Sequence, residues 1–261
     1  MSCVARCPRG SGFRDGSRLS SAPLFRNAIL AGLPPAELSA LRPHLVRTRM
    51  VNGQGLHEPG ERIDSVYFFE TGLASMVATA QDAGSGTEVG VIGPEGMVGL
   101  TVLLDPDATA FNRAMVQMPG VAYRMPAPAL LGCLDTALVL RRRLLRRLDS
   151  FIALISQTAA CNSRHSVTER CARWLLLAHD RSETDELALT QEFLAVMLAV
   201  RRSGVTIALG SLREAGLVRN GRGRITICDR PALEEAACDC YSRVQAFNAA
   251  LAERDAGDVA A

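Results

Sequence analysis

The most regular hydrophobic pattern in the chain lies between residues 189 and 218. Thr190 is a good helix N-cap, and large apolar residues then recur at helical spacing on one face of the segment that follows. After a predicted turn at 199–201, a second helix buries Val205 and Leu209 at the same spacing. The pattern therefore predicts two short helices that meet at a tight turn, which is a helix-turn-helix.

Polar side chains occupy the opposite face of the second predicted helix. Arg202, Ser203 and Thr206 lie near its N-terminus, at the positions from which a recognition helix reaches base edges in the major groove of DNA. We therefore predict that these three residues contact bases.

A wing and a concentration of positive charge follow the second helix. Gly216 ends the helix, and two short strands are predicted around a glycine-rich turn. Residues 201–230 contain seven arginines and two carboxylates, a formal charge of +5, whereas the whole chain carries +2. Such a local field is typical of a phosphate-binding surface. A solvated basic face, or a winged helix that binds protein, is the alternative. The residues expected to hold phosphates are Arg201, Arg213, Arg222 and Arg224.

A different pattern occupies residues 47–125, where short β-rich runs are separated by Gly, Pro and Asp turns. Many short strands at regular spacing predict an antiparallel sandwich or barrel. A module of this kind often encloses a ligand, but it can equally be a packed scaffold. The predicted strands are residues 66–69, 73–79, 88–92, 114–118 and 121–125.

From about residue 135 to 162 the chain has no proline or glycine, and we predict one long helix. Its apolar positions alternate at four and three residues, which is typical of a coiled-coil seam buried against a second copy in a two-fold dimer. The arginines of 141–147 favour a solvated flank of that seam over a nucleic-acid patch. The predicted dimer seam consists of Leu144, Leu148, Phe151, Ile155 and Thr158.

The composition of the chain indicates a globular protein with two domains. The chain has 261 residues, of which 48% are hydrophobic and 21% charged, enough for two modest cores. Residues 1–22 have few large apolar side chains and are expected to form a disordered leader. No apolar run approaches the roughly 18 residues of a membrane span, and no secretory signal is evident, so we expect a cytoplasmic protein without a membrane partner.

Candidate chemistry is sparse. The eight cysteines are dispersed, and neither close pair, Cys3 with Cys7 or Cys238 with Cys240, has C-x-x-C spacing. The four histidines show no ligand spacing, so no metal site is predicted. No residue lies in a recognisable nucleophile motif, and we do not expect an enzyme.

The order of these parts resembles that of bacterial Crp/Fnr-type transcriptional regulators over roughly residues 24–235. The motifs that carry the resemblance are Glu192-x-Leu-Ala-x-x-Leu-Ala-x-Arg-Arg-x-x-Val205-Thr206 and Leu212-x-x-x-Gly-Leu-Val218. It implies an α+β fold with an antiparallel, cyclic-nucleotide-binding-like β-roll, a long dimerisation helix and a C-terminal winged helix-turn-helix. The expected divisions are a leader at 1–22, the β-roll at 23–134, the dimerisation helix at 135–162, the winged helix at 163–235 and a C-terminal helix and tail at 236–261.

The resemblance also implies partners and base contacts. In that family the arginine that opens the recognition helix contacts guanine, and here this position is Arg202. Ser203 stands where the best-known members have a base-reading glutamate, and Ile207 stands where a second base-reading arginine often lies. We therefore expect an operator sequence that differs from that of those members. The implied partners are double-stranded DNA with a palindromic site, a second copy of the chain and RNA polymerase.

The family's best-known sensor pocket binds a cyclic nucleotide through a Gly–Glu pair and an Arg–Ser pair. Met97 stands at the glutamate position, and Arg113 is one place out of register, so a cyclic nucleotide is not expected. The oxygen-sensing branch holds an iron–sulfur cluster on a dense cysteine group, which Cys3 and Cys7 alone do not reproduce. Another effector, or a vestigial β-domain that needs no effector, stays possible. The candidate effector residues are Glu95, Gly96, Met97 and Arg113.

Overall fold

The computed structural model describes residues 25–78 and 86–260. The expected leader at 1–22, with Cys3 and Cys7, lies outside the described residues. Within the described part, a β-rich region is followed by a long helix, a helical region with a small sheet, and a C-terminal helix. This order confirms the α+β fold that the sequence predicts.

The N-terminal region is built on antiparallel strands. These are β1 Val46–Met50, β2 Gly55–His57, β3 Ser65–Ala78, β4 Thr87–Ile92, β5 Met97–Val98 and β6 Arg113–Pro126. The sheet runs in the order β1-β6-β3-β4, with β2 paired to β6 and β5 paired to β3. Two short helices, α1 Ala28–Ala31 and α2 Pro35–Leu41, precede it. The antiparallel β module is confirmed.

Two pairs of predicted strands are in fact single long strands. β3 and β6 each have 14 residues and continue through the glycines at which turns were predicted. Their pairing shifts register around Thr71 and Leu73. A Cβ on Gly120 would lie 2.1 Å from the carbonyl oxygen of Thr71, so only glycine permits this approach. The glycines therefore mark bulges rather than turns.

One core lies between this sheet and the helices that follow it, α3 Ala127–Cys133 and α4 Leu138–Arg164. Phe68 on β3 and Leu140 on α4 are both fully buried in it. α4 also contacts β4. The long predicted helix is thus present, with one side against its own β-domain.

The structure corrects the predicted dimer seam. Leu144 is fully buried inside the protomer, and Leu148 and Phe151 pack against the same core. For these three residues the four-three spacing therefore describes contact with the β-domain, because a helix that covers a sheet has the same apolar repeat as a coiled coil. Ile155 and Thr158 are partly buried. A different set of residues is exposed at intervals of seven on the other side of α4, namely Leu138, Leu145 and Ile152.

The structure corrects part of the predicted solvated arginine flank of α4, although Arg141 and Arg142 are exposed as expected. Arg143 and Arg147 are buried rather than solvated, beneath the C-terminal helix α9 Cys240–Ala260. Arg147 pairs with Asp255, as does Arg146 at 2.8 Å. Arg143 donates to the backbone oxygen of Asp255 at 2.6 Å. The cluster therefore fixes α9 on α4, with buried charges that are paired.

The remaining elements form the C-terminal region. They are α5 Val167–His179, β7 Glu186–Leu187, α6 Gln191–Met197, α7 Arg202–Glu214, β8 Val218–Gly221, β9 Arg224–Ile227 and α8 Arg230–Ala236. The small sheet has the order β7-β9-β8 and is antiparallel. Among the described residues no single helix has the length and apolar character of a membrane span, and only the bent pair of α6 with α7 passes on length and composition.

Candidate nucleic-acid interface

The two helices of the predicted motif meet at a tight turn. Thr190 caps α6, and its side chain accepts a hydrogen bond from the backbone N–H of Phe193 at 3.2 Å. The bend between α6 and α7 is 106°, within the range typical of helix-turn-helix motifs. Ala199 in the turn has φ of 50°, a left-handed conformation that costs a residue with a Cβ about 1–2 kcal/mol. The turn thus bends the chain at a local energetic cost.

Burial on α7 separates a packing face from a free face. Val205, Leu209 and Leu212 are buried in the core around α5. Arg202, Ser203 and Thr206 are exposed, as predicted for the base-facing residues. Ile207 lies beside them with 70% of its surface exposed, a large apolar side chain in water. An exposed apolar residue on such a face can contact a thymine methyl group.

Side chains from the start of α6 position the first turn of α7. Arg202 Nη1 lies 2.9 Å from Glu192 Oε1. The hydroxyl of Thr206 donates to Gln191 Oε1 at 2.9 Å. The Arg202–Glu192 pair is exposed, so its net contribution is small and a stronger ligand can replace it.

The wing lies next to this face. Gly223 has φ of 70°, and the hairpin turn between β8 and β9 requires that left-handed backbone. A cleft of about 560 Å³ separates the wing from the start of α6. Arg202, Arg222 and Arg224 all line it, and Arg224 also pairs with Glu186 at 3.3 Å. Three of the predicted DNA contacts therefore converge on one cleft.

The other arginines of the basic window are placed differently. Arg201 is exposed at the N-cap of α7, and Arg213 is exposed in the last turn, away from the cleft. Arg230 pairs with Asp180 at 2.6 Å and with Glu234 at 2.9 Å. Arg230 thus joins α8 to the end of α5, and its charge is not available to a phosphate.

The four candidate effector residues do not form one site. Glu95, Gly96 and Met97 line a cavity of about 30 Å³, which has room for roughly one or two water molecules. Glu95 accepts hydrogen bonds from Arg181 at 2.6 and 2.9 Å. Arg113 pairs instead with Glu58 at 3.0 Å and does not line that cavity. Arg113 begins β6 in another part of the sheet, so Glu95 and Arg113 do not line one cavity in the part of the chain that the structure describes.

A larger cavity of about 80 Å³ lies between the sheet and α4. Most of its lining is apolar, including Leu100 and Phe151. Its polar groups include His57 and Asn112, and the buried Oδ1 of Asn112 has no hydrogen-bond partner among the described residues. Burial lowers the pKa of His57, whose Nε2 lies 2.8 Å from the backbone oxygen of Ser65. The cavity therefore suits a small, mostly apolar molecule.

A buried acid also links the two regions. Glu88 on β4 accepts a hydrogen bond from the Trp174 indole on α5 at 2.6 Å and from the Ser75 hydroxyl at 2.5 Å. Burial raises the pKa of Glu88 to about 7. With the Glu95–Arg181 pair, this contact joins the β-domain to α5 and to Arg181, two residues beyond the end of that helix. Sequence reasoning missed both, since the partners are 86 positions apart.

The structure contradicts the view of the C-terminal cysteines as dispersed. Cys161, His165, Cys238 and Cys240 converge, with their ligand atoms all within 4.8 Å of one another. The sequence did contain a weak signal, because Cys161 and His165 are four apart and share one face of a helix. Their two partners lie more than 70 residues further on, so spacing along the chain did not reveal the cluster.

Comparisons with known proteins agree with this geometry. Residues 169–236 match the family model of the Crp-like helix-turn-helix domain. The fold is similar to TTHB099 of Thermus thermophilus, a regulator of the CRP family (23% identity, TM-score 0.61, 73% of this chain and 96% of that one). It is also similar to TTHA1359 of the same organism, a regulator of the CRP/FNR family (21% identity, TM-score 0.55, 74% of this chain and 98% of that one). A third similar structure is CLP, the c-di-GMP-responsive global regulator of Xanthomonas campestris (18% identity, TM-score 0.60, 75% of this chain and 100% of that one). No curated protein sequence matches the chain. The resemblance to Crp/Fnr regulators is thus confirmed for the C-terminal domain and for the fold.

Proposed function

We propose that this Crp/Fnr-like chain is a homodimeric, sequence-specific DNA-binding regulator of transcription that places α7 in the major groove of a palindromic operator. The observation that carries the proposal is the free face of α7, where polar residues stand exposed beside a basic wing. A helix of this kind fits the major groove, and the wing arginines then lie near the phosphate backbone. No catalytic step is part of this function.

The side chains divide into two roles. Arg202, Ser203 and Thr206 contact bases, and Arg202 leaves Glu192 to form a bidentate contact with guanine. Since the Arg202–Glu192 pair is exposed, breaking it costs little. The residues that hold phosphates are Arg201, Arg213, Arg222 and Arg224, which position the protein without reading sequence.

Dimerisation uses the exposed stripe of α4. Leu138, Leu145 and Ile152 repeat every seven residues, which is the spacing of a coiled-coil contact, and all three are exposed in the single chain. A two-fold axis along this stripe would set two recognition helices about 34 Å apart, one turn of DNA. The proposal also includes RNA polymerase as a partner and the cytoplasm as the location of the protein.

Control of DNA binding passes through α4. The cavity of about 80 Å³ contacts α4 at Leu148 and Phe151, so a ligand there can shift the helix, and with it the contacts of Glu88 with α5 and of Glu95 with Arg181. Among the described residues no arginine or lysine lines that cavity, and burial lowers the pKa of His57 in its wall, so a phosphate-bearing effector such as the one in the name of CLP is disfavoured. The tightness of the cavity around Glu95 favours a second candidate, a regulator that needs no effector.

Selection from a random duplex library, followed by fluorescence anisotropy, tests the function. We expect an enriched palindrome and an affinity that falls steeply with salt, by a slope of about −0.9 for each phosphate contact. If no sequence is enriched, the proposal of sequence-specific binding is wrong. A flat salt dependence would point instead to a winged helix that binds protein.

A further inference from the structure

The cluster formed by Cys161, His165, Cys238 and Cys240 has no role in the proposed binding of DNA. Cys161 lies in the last turn of α4, and His165 is the C-cap of that helix. Cys238 precedes α9, and Cys240 begins it. The cluster therefore joins the end of α4 to the start of α9, at the two points where the chain enters and leaves the winged-helix region.

We propose that these four side chains bind one tetrahedral divalent metal ion of the zinc class. Cys161 Sγ lies 3.4 Å from Cys238 Sγ, and Cys240 Sγ lies 3.4 Å from His165 Nδ1. With Zn–S bonds of about 2.3 Å and Zn–N bonds of about 2.0 Å, tetrahedral geometry separates ligand atoms by about 3.5 to 3.8 Å. The cluster thus needs only small shifts to enclose an ion.

The ligand set and its compactness select the metal. Three thiolates and one imidazole form a set typical of closed structural zinc sites. An iron–sulfur cluster distributes its protein ligands over several irons and needs them farther apart than these atoms, which lie within 4.8 Å. With four protein ligands the ion keeps no open position, so its role is structural.

The surroundings of the cluster match those of a metal-bound site. A ligating histidine usually directs its other ring nitrogen at a carboxylate, and His165 Nε2 lies 3.6 Å from Asp239 Oδ1. The amide of Gln157 donates to Cys240 Sγ at 2.9 Å, a bond that suits a thiolate. Arg170 and Arg173 are buried nearby, and their charge opposes the net negative charge of three thiolates around a divalent ion.

Two other cysteines provide a contrast. Cys171 is buried in the core around α5, where burial raises the pKa of its thiol to about 12 and no charged partner offsets that shift. Cys228 is an exposed thiol at the end of the wing. Neither has the converging donors of the cluster, so Cys228 supplies a matched control for loss of a thiol.

The test measures metal in the full-length protein, purified under reducing conditions without chelator. We expect one zinc ion per chain by elemental analysis and native mass spectrometry. Exchange for Co²⁺ should give thiolate-to-cobalt charge-transfer absorption and the intense visible bands of tetrahedral cobalt. Cys161→Ser and Cys238→Ser should lose the ion, whereas Cys228→Ser keeps it. The Asp239→Ala variant should bind the metal ion about 10-fold more weakly than the unmodified chain.

The cobalt spectrum of the unmodified chain decides the matter even if a cysteine variant fails to fold. A reduced protein that takes up neither Zn²⁺ nor Co²⁺ overturns the proposal and leaves a cluster of hydrogen-bonded thiols. Octahedral cobalt bands, or loss of metal from Cys228→Ser, would place the ion elsewhere. Bound iron with inorganic sulfide would overturn the mononuclear site.

Discussion

The winged helix and the β-domain use charged side chains in opposite ways. The side chain of Arg202 on α7 is 66% exposed to solvent, and that of its partner Glu192 is 60% exposed. Glu88 in the β-domain is only 6% exposed and is held by Ser75 and Trp174. Exposed charged groups can exchange partners in water at little cost, whereas a buried polar group that loses its hydrogen-bond partners is left unpaired. The surface that we propose to face DNA is therefore free to bind, and the buried hydrogen bonds of Glu88 hold the two regions together.

The largest effect should come from the core between α4 and the β-domain. Leu144→Ala is expected to reduce the free energy of unfolding by about 2–5 kcal/mol, because Leu144 is fully buried in the protomer. Leu145 is one position away and 45% exposed, so Leu145→Ala should change the free energy of unfolding by less than about 1 kcal/mol. Its main effect should be a weaker dimer. Urea unfolding and sedimentation velocity measure the two effects. Equal losses of stability would show that both residues are core.

Glu88 should make stability depend on pH. Its pKa is about 7 in the folded chain and 4.5 when unfolded, so the folded state retains a proton that the unfolded state releases. The free energy of unfolding should therefore decrease as pH rises from about 4.5 to 7, by up to about 3 kcal/mol. Glu88→Gln keeps both hydrogen-bonding positions and should remove this decrease. Urea unfolding of both proteins at several pH values provides the measurement, and identical profiles would contradict the role of Glu88.

On the DNA side, Arg202→Ala is expected to cost about 1–3 kcal/mol on the selected operator and much less on random DNA. Arg222→Ala is the matched control, because loss of a phosphate contact should weaken both duplexes alike and reduce the salt slope by about 1. Anisotropy titrations at several salt concentrations separate the two. If Arg202→Ala weakens both duplexes equally, Arg202 contacts phosphate and does not read bases.

The smallest effect concerns the turn between α6 and α7. Ala199→Gly should stabilise the protein by up to about 1 kcal/mol, since glycine adopts the left-handed backbone without the clash of a Cβ but loses more entropy on folding. Thermal unfolding of the two proteins measures it. Ala195→Gly, in the interior of α6, is the control and should destabilise by about 1 kcal/mol. A lower stability for Ala199→Gly would show that the turn is not strained.

Local features were predictable from the sequence because neighbouring residues determine them. The N-cap at Thr190, the apolar spacing of α7 and the glycine-rich wing each depend on fewer than about 15 consecutive residues, and all appear in the structure. The exposure of Arg202, Ser203 and Thr206 follows from the same periodicity. The exposed face of α7 could therefore be predicted almost completely, although its partner residues on α6 were not.

Tertiary structure alone decided what each side of α4 touches. Successive residues on a helix differ by about 100° in direction, so Leu144 is core while Leu145 faces water. That choice depends on residues such as Phe68 of β3 and Met125 of β6, which share a core with Leu144 but lie far from it along the chain. The burial of Arg143 and Arg147 and the convergence of Cys161 with Cys238 depend on the same distant packing. Local sequence patterns were enough to predict the long helix, the two helices of the motif and the exposed face of α7, but they divided β3 and β6 into four strands. The exposed stripe of α4 and the cysteine cluster required the fold, because no periodicity within a segment records which distant segment will cover it.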